Sequence, residues 1–228
     1  MSLLYVVSES DGDAFFYALC AKKFTGCAFT LSVMKNRKGD GVDAVTRQLK
    51  SALILARAAA GGAETVCFIG AMDNDRAPHE ENIALVRARL VPKEQARENR
   101  IAWMLETVEG VLGQNREAWP LHVALAVPVE MIESWIVRAR REAEPQPTPH
   151  FSNENSNRAG HYYAPSAPPP QWKDLAAEEQ KQCGHMDRLT FYEHVVRELD
   201  AGALAGRSLS FRMFKEWLDA WPRAMALA

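Results

Sequence analysis

The sequence predicts an α/β fold: a mostly parallel, four-stranded sheet with helices on both faces and a helical extension at the C-terminus. The first observation is that short apolar runs alternate with longer amphipathic segments. Their order, β-α-β-α-β-α-α-β-α, is typical of parallel sheets. The second is the continuously apolar run at residues 66–69, because strands covered on both faces lack polar alternation. The third is size, since 228 residues with 47% apolar side chains can bury the core of one large domain.

Four apolar runs predict the strands of this sheet, at residues 3–8, 28–34, 66–69 and 121–127. The first run ends at Glu9, and the third leads into Asp73-Asn74-Asp75. The second leads into a short basic loop, and the fourth ends at Pro128. Acidic side chains therefore follow strand ends, which is where open α/β sheets bind their ligands.

Amphipathic spacing predicts the helices, at residues 13–24, 41–59, 79–90, 94–114, 129–141, 187–200 and 209–219. Capping residues precede the first helix at 10–13, and Gly61 with Gly62 ends the second.

The composition changes after the fifth predicted helix. Residues 143–171 hold seven prolines and few aliphatic side chains, so they cannot build a packed core. We predict an α/β domain at 1–142, a proline-rich insertion loop at 143–173 and a C-terminal helical segment at 174–228 that packs on the first domain. The insertion is either a functional loop or a mobile linker.

Charge and missing motifs exclude several classes of protein. The formal net charge of -2 provides no whole-protein basic field, so any nucleic-acid contact would depend on a local patch. The four cysteines form no CxxC pair, which suits buried thiols in a reducing cytosol. Without a signal-type segment or an apolar run near ~18 residues, we expect a soluble, cytoplasmic protein with no membrane association. There is no GxxxxGK[ST] motif, so we expect no NTP-binding loop.

Glu9, Asp73 and Asp75 form the candidate metal site. If the first and third strands are neighbours, the three carboxylates meet at one edge of the sheet. Their mutual repulsion would be offset by a divalent cation with oxygen ligands, and Mg²⁺ or Mn²⁺ suits such an open position. The alternative is a solvated turn, because Asp-Asn-Asp is also good turn chemistry.

Glu133 is a further candidate acid. It lies near the start of the helix after the fourth strand, beside the apolar Ile132 and Trp135, so solvation explains it poorly. We expect it to bind metal or to position water. Asp13 could support the site, or it could be a helix-start carboxylate that interacts with the helix dipole.

Lys35, Arg37 and Lys38 form a basic loop after the second strand, at the same predicted edge of the sheet. Basic side chains beside a metal site suit a nucleic-acid phosphate backbone. A solvated turn is the alternative.

Residues 6–13 resemble the first motif of Toprim domains, in which a glutamate follows the first strand. Residues 73–75 are similar to the Asp-x-Asp motif that follows a later buried strand in the same domains. Toprim domains occur in topoisomerases, primases and the OLD-family nucleases, where these acids bind divalent metal and serve phosphodiester chemistry. The resemblance covers about residues 3–142 and implies a Rossmann-like sheet. One departure is Ser10, where the family has a glycine.

A narrower resemblance reaches the C-terminus. Residues 128–135 and 208–212 resemble a group of small bacterial Toprim-like proteins. That group has a Glu-x-Trp helix after the fourth strand and a Ser-x-Ser-Phe segment near the C-terminus.

Together, the acids and the resemblance predict a metal-dependent phosphodiesterase, a nuclease acting on DNA or RNA. Its catalytic residues would be Glu9, Asp73, Asp75 and Glu133. The alternative is a non-catalytic nucleic-acid-binding or regulatory protein on the same fold, because no histidine or lysine offers an obvious general base. Nucleic acid is the expected partner, and the sequence leaves open a partner protein or a homo-oligomer.

Overall fold

The computed structural model describes residues 2–33, 42–62, 65–73, 93–128, 132–140, 172–184 and 186–221. At its centre is a four-stranded sheet with the strand order β2-β1-β3-β4, in which all neighbouring strands are parallel. The strands are β1 (Ser2–Val7), β2 (Phe29–Val33), β3 (Val66–Ala71) and β4 (His122–Ala126). The predicted α/β class and parallel sheet are confirmed, and each strand overlaps its predicted run.

Eight α-helices accompany the sheet in the described ranges. They are α1 (Asp11–Thr25), α2 (Val42–Ala59), α3 (Lys93–Leu112), α4 (Ile132–Arg140), α5 (Trp172–Gln182), α6 (Arg188–Glu198), α7 (Ala201–Arg207) and α8 (Leu209–Asp219). Helix α5 begins at Trp172, so helical structure starts just inside the predicted insertion at 143–173. The helix predicted at 79–90 lies outside the described residues.

One face of the sheet packs on α2 and α3. The core on this face includes Leu49, Phe68, Met104 and Val123. Gly70 allows α2 and α3 to pack closely on β3. A Cβ atom at this position would lie 3.0 Å from side-chain atoms of Leu49 and Met104. All six residues of β3 are buried, as expected for a strand covered on both faces.

The other face packs on α1, α4 and the C-terminal helices. Aromatic side chains dominate this core, with Trp135 of α4 stacked on Phe214 of α8 at 5.7 Å between ring centroids. Tyr17 of α1 meets Phe214 edge-on at 5.6 Å, and Phe16 of α1 meets Tyr192 of α6 at 5.4 Å. Helices α6 and α8 therefore complete the same hydrophobic core as the sheet.

Lys23 ties α1 to the end of α6. Its Nζ donates hydrogen bonds to the carbonyl oxygens of Val196, Arg197 and Leu199, at 2.8, 2.8 and 2.7 Å. Carbonyls at a helix C-terminus lack partners within the helix and carry partial negative charge, so a cation there stabilises the helix. This contact fixes α6, which carries Arg188, against α1, which carries Asp13.

The cysteines are free thiols, and Cys20 and Cys67 are buried while Cys27 and Cys183 are partly exposed. Burial raises the pKa of the Cys67 thiol to about 12. Among the helices that the structure describes, none has both the length and the apolar character needed to cross a bilayer.

Candidate functional site

The carboxyl ends of β1 and β3 are adjacent, and each is followed by an acid. The register pairs Val7, the last residue of β1, with Gly70, one residue before the end of β3. Glu9 and Asp73 each lie two residues beyond the last residue of their strand. The backbone N–H of Asp73 donates a hydrogen bond to Oε1 of Glu9 at 2.9 Å. The structure therefore brings together two of the three predicted metal ligands, which lie 64 residues apart in the sequence.

The start of α1 adds a third acid. Ser10 is the N-cap of this helix, and its hydroxyl accepts a hydrogen bond from the backbone N–H of Asp13 at 3.2 Å. A serine is well suited to this role, because its hydroxyl oxygen accepts a hydrogen bond that the first turn of the helix cannot make internally. Asp13 lies in the first turn of α1, where the helix dipole favours a carboxylate, and its side chain is buried.

Tyr17 shows how closely these acids are gathered. Burial raises the pKa of its phenol well above the ordinary range, and the negative charges of Asp73, Asp13 and Glu9 raise it further. The charges of all three carboxylates therefore act on a single buried hydroxyl of α1. We call Glu9, Asp13, Asp73 and Glu133 the acidic site.

Glu133 joins the other acids through Arg188 of α6. Nη2 of Arg188 donates to Oδ1 of Asp13 at 2.9 Å and lies 3.6 Å from Oε1 of Glu133. Burial raises the pKa of the Glu133 carboxyl, and the charge of Asp13 raises it further, whereas Arg188 and Lys173 act in the opposite direction. Glu133 is thus a carboxyl whose environment favours the protonated form more than an exposed glutamate does, and it lies within reach of the same arginine as Asp13.

Arg188 is itself held in place by Tyr192. Nε of Arg188 donates to the Tyr192 hydroxyl at 2.7 Å, and the guanidinium carbon lies 5.3 Å from the centroid of the tyrosine ring. Gly12 borders the same side chain, since a Cβ atom there would lie 3.5 Å from Nε of Arg188. The guanidinium is therefore oriented by contacts with both α1 and α6.

Arg188, Tyr192 and Tyr17 are not among the site residues that the sequence predicts. Arg188 is separated from Asp13 by 175 positions, so no local motif connects them. The one sequence signal near Arg188 is Asp187, the N-cap of α6. Its carboxylate accepts hydrogen bonds from backbone N–H groups in the first turn of that helix. That signal predicts where the helix starts but says nothing about what the arginine contacts.

Several predicted site residues lie outside the described residues. They are Asp75, the third predicted metal ligand, and the basic loop residues Lys35, Arg37 and Lys38. These four remain predictions.

Glu9 and Asp73 are the two predicted ligands of Mg²⁺ or Mn²⁺ that the structure describes. In the part of the chain that the structure describes, no group of three or more Asp, Glu, His or Cys side chains is arranged to hold a metal ion. Glu9 and Asp73 do supply oxygen donors from two adjacent strand ends. Because Mg²⁺ is usually held by one or two carboxylates together with water and substrate phosphate, this pair fits such an ion.

The two motifs of the narrower resemblance meet in the core. Nε1 of Trp135 donates a hydrogen bond to the hydroxyl of Ser210 at 2.8 Å, and both residues are buried. Ser208 caps α8 by accepting from the backbone N–H of Phe211, and its hydroxyl lies 3.1 Å from that of Ser210. These motif residues connect α4 to α8, so their role in this structure is to position the helix that carries Glu133.

The fold and the site together define a parallel α/β protein with acidic side chains gathered at the carboxyl ends of adjacent strands. No protein-family model, curated protein or solved structure matches the chain.

Proposed function

We propose that this chain is a Toprim-like, metal-dependent phosphodiesterase that cleaves nucleic acid. The observation that carries the proposal is the hydrogen bond from the Asp73 backbone to Glu9, because it joins the acids of two adjacent strand ends. Carboxylates gathered at such an edge are a suitable environment for a divalent cation with oxygen ligands.

Glu9 and Asp73, with Asp75 as the third predicted ligand, would hold Mg²⁺ or Mn²⁺. Such an ion supplies charge stabilisation at a phosphoryl oxygen and lowers the pKa of bound water. Asp13 adds negative charge beside the ligands and engages Arg188, which keeps that cation next to the site. Glu133 would orient water or accept a proton, and its raised pKa brings it closer to the range of an efficient general base.

The substrate proposed is DNA or RNA. Lys35, Arg37 and Lys38 would contact its phosphate backbone, since they follow β2, the neighbour of β1 in the sheet. A net charge of -2 makes such a local patch necessary for binding a polyanion.

The first prediction concerns cleavage. Wild-type protein should cleave plasmid or single-stranded DNA or RNA with Mg²⁺ or Mn²⁺, and should not do so with EDTA. Asp73→Ala should remove the activity because it takes away a ligand of the ion, and gel analysis of the products measures both.

The matched control is Asp11→Ala. Asp11 is an exposed acid in the first turn of α1, two residues from Glu9, and it is not part of the acidic site. This variant should keep wild-type activity. Cleavage that persisted in Asp73→Ala would refute the assignment, since a contaminating nuclease or another site would then be responsible.

One observation favours a second candidate function, a non-catalytic nucleic-acid-binding or regulatory protein on the same fold. Arg188 already places a cation against Asp13 and near Glu133, which offsets part of the negative charge without a metal. Nucleic-acid binding that survived in Asp73→Ala, with no cleavage by the wild type under Mg²⁺ or Mn²⁺, would select this alternative.

A further inference from the structure

A small cavity adjoins the acidic site between α4, α5 and α6. It has a volume of about 180 Å³, and the residues in its lining that carry polar side-chain atoms are Glu133, Lys173, Gln180, Arg188 and Tyr192. Clefts that hold drug-sized molecules have volumes of roughly 300–1,000 Å³. The cavity is therefore of a size to take one small group of a larger ligand.

Arg188 enters this cavity with its guanidinium already oriented. Nε is bonded to the Tyr192 hydroxyl, and Nη2 is bonded to Asp13. Within the described part of the chain, Nη1 makes no hydrogen bond. Because an arginine presents its N–H donors in a rigid planar fork, two fixed nitrogens leave the third preorganised for a ligand.

Lys173 provides a second cation in the same lining. Its side chain is exposed and, among the described residues, forms no ion pair. The amide nitrogen of Gln180, by contrast, is already bonded to the carbonyl of Met186 at 2.6 Å. Arg188 and Lys173 are the two cations of the lining, and they indicate an anionic ligand group.

Glu133 is the opposing charge in the lining, and it limits which anions fit. Its ion pair with Arg188 is long, at 3.6 Å between Nη2 and Oε1, so Glu133 contacts the guanidinium less closely than Asp13 does at 2.9 Å.

We propose that this cavity binds a phosphate group, which accepts hydrogen bonds from Arg188 and Lys173. Arginine and lysine are the side chains that proteins use for phosphate, the first through its fork and the second as a point charge. The proposal rests on the proposed function in one respect, since the phosphate would belong to the nucleic-acid substrate. The cavity shares Glu133 with the acidic site, so the bound phosphate would lie next to the group that is cleaved.

The test is calorimetric titration of the full chain with inorganic phosphate in the absence of metal. Wild-type protein should bind, and Arg188→Gln and Lys173→Gln should each weaken the affinity at least about tenfold, as expected for a lost charge-assisted hydrogen bond. Lys181→Gln on α5 and Arg197→Gln on α6 remove exposed cations that do not line the cavity, and they should bind like the wild type. No binding of millimolar phosphate by the wild type, or equal affinity in all five proteins, would overturn the proposal.

A loss of phosphate binding through unfolding can be told apart from the loss of a ligand contact. Arg188→Gln breaks contacts with Asp13 and Tyr192, and circular dichroism will show whether the variant is folded. Lys173→Gln breaks no ion pair among the described residues, so it alone settles the question if the arginine variant unfolds.

Oligonucleotides with a 5′-phosphate or a 5′-hydroxyl distinguish the two sources of the phosphate. Tighter binding of the phosphorylated strand, lost in Lys173→Gln, identifies a terminal monoester. If the wild type binds both oligonucleotides with equal affinity, and Lys173→Gln weakens both affinities to the same extent, the ligand is a backbone diester. Phosphate binding that depends on Arg188 and Lys173 in a protein without nuclease activity would leave the cavity assignment standing while the proposed function failed.

Discussion

Glu9→Gln and Asp73→Asn should each reduce phosphodiester cleavage at least about a hundredfold, since the metal that we propose they hold would stabilise the transition state by several kcal/mol. The double variant should be scarcely worse than either single variant, because in this proposal both carboxylates would support the same ion and act as a unit. Measured values of kcat/KM for the two single variants and the double variant test this directly.

The substitutions are chosen to keep the local structure. The amide oxygen of a glutamine at position 9 can still accept the hydrogen bond from the Asp73 backbone, and Asp73→Asn leaves that backbone N–H unchanged. Asp11→Asn, an exposed acid in the same segment, is the control and should retain activity. If the two single losses multiplied in the double variant, Glu9 and Asp73 would act independently and a shared ion would be excluded.

Trp135→Ala should lower the free energy of unfolding by about 3–5 kcal/mol, which is typical of removing a fully buried aromatic side chain. Trp135 is completely buried, packs against Phe211 and Phe214, and donates a hydrogen bond to Ser210. Its loss leaves a cavity between α4 and α8 and removes the hydrogen bond to Ser210. Chemical denaturation followed by circular dichroism measures the change.

Trp119→Ala is the matched control for this effect. Trp119 also donates a hydrogen bond from Nε1, to the carbonyl of Gly113 at 2.7 Å, but its side chain is only partly buried. We expect a loss of about 1 kcal/mol, close to the average for single substitutions. Equal losses at the two positions would show that Trp135 does not have the central packing role assigned to it.

The strands and most helices could be predicted because their signals are local. The apolar run of β3 reports burial on both faces, and helix α8 begins after Ser208, a capping residue that is visible in the sequence. Such features depend on neighbours in the chain, which sequence patterns record.

The acidic site could be predicted only in part. Glu9 and Asp73 were found because each follows a strand, and the parallel sheet then placed the two strand ends together. Arg188 could not be found, because its position depends on how α6 packs against α1. That packing depends on Lys23 of α1, which donates hydrogen bonds to carbonyls at the C-terminal end of α6, and on aromatic contacts between the two helices. These contacts join residues more than 170 positions apart, so they form no local sequence pattern.

The binding of Mn²⁺ tests the central claim most directly, since a metal at Glu9 and Asp73 is required for every catalytic role assigned above. Electron paramagnetic resonance of free Mn²⁺, with thermal unfolding under the same conditions, measures both the affinity and the stabilisation that binding brings by mass action. We predict that millimolar Mn²⁺ binds wild-type protein and raises its melting temperature, that Asp73→Asn abolishes both effects, and that Asp11→Asn preserves them. A wild-type protein that neither binds Mn²⁺ nor responds to it in melting, or an Asp73→Asn variant that binds it as well as the wild type, would contradict the metal site at these strand ends.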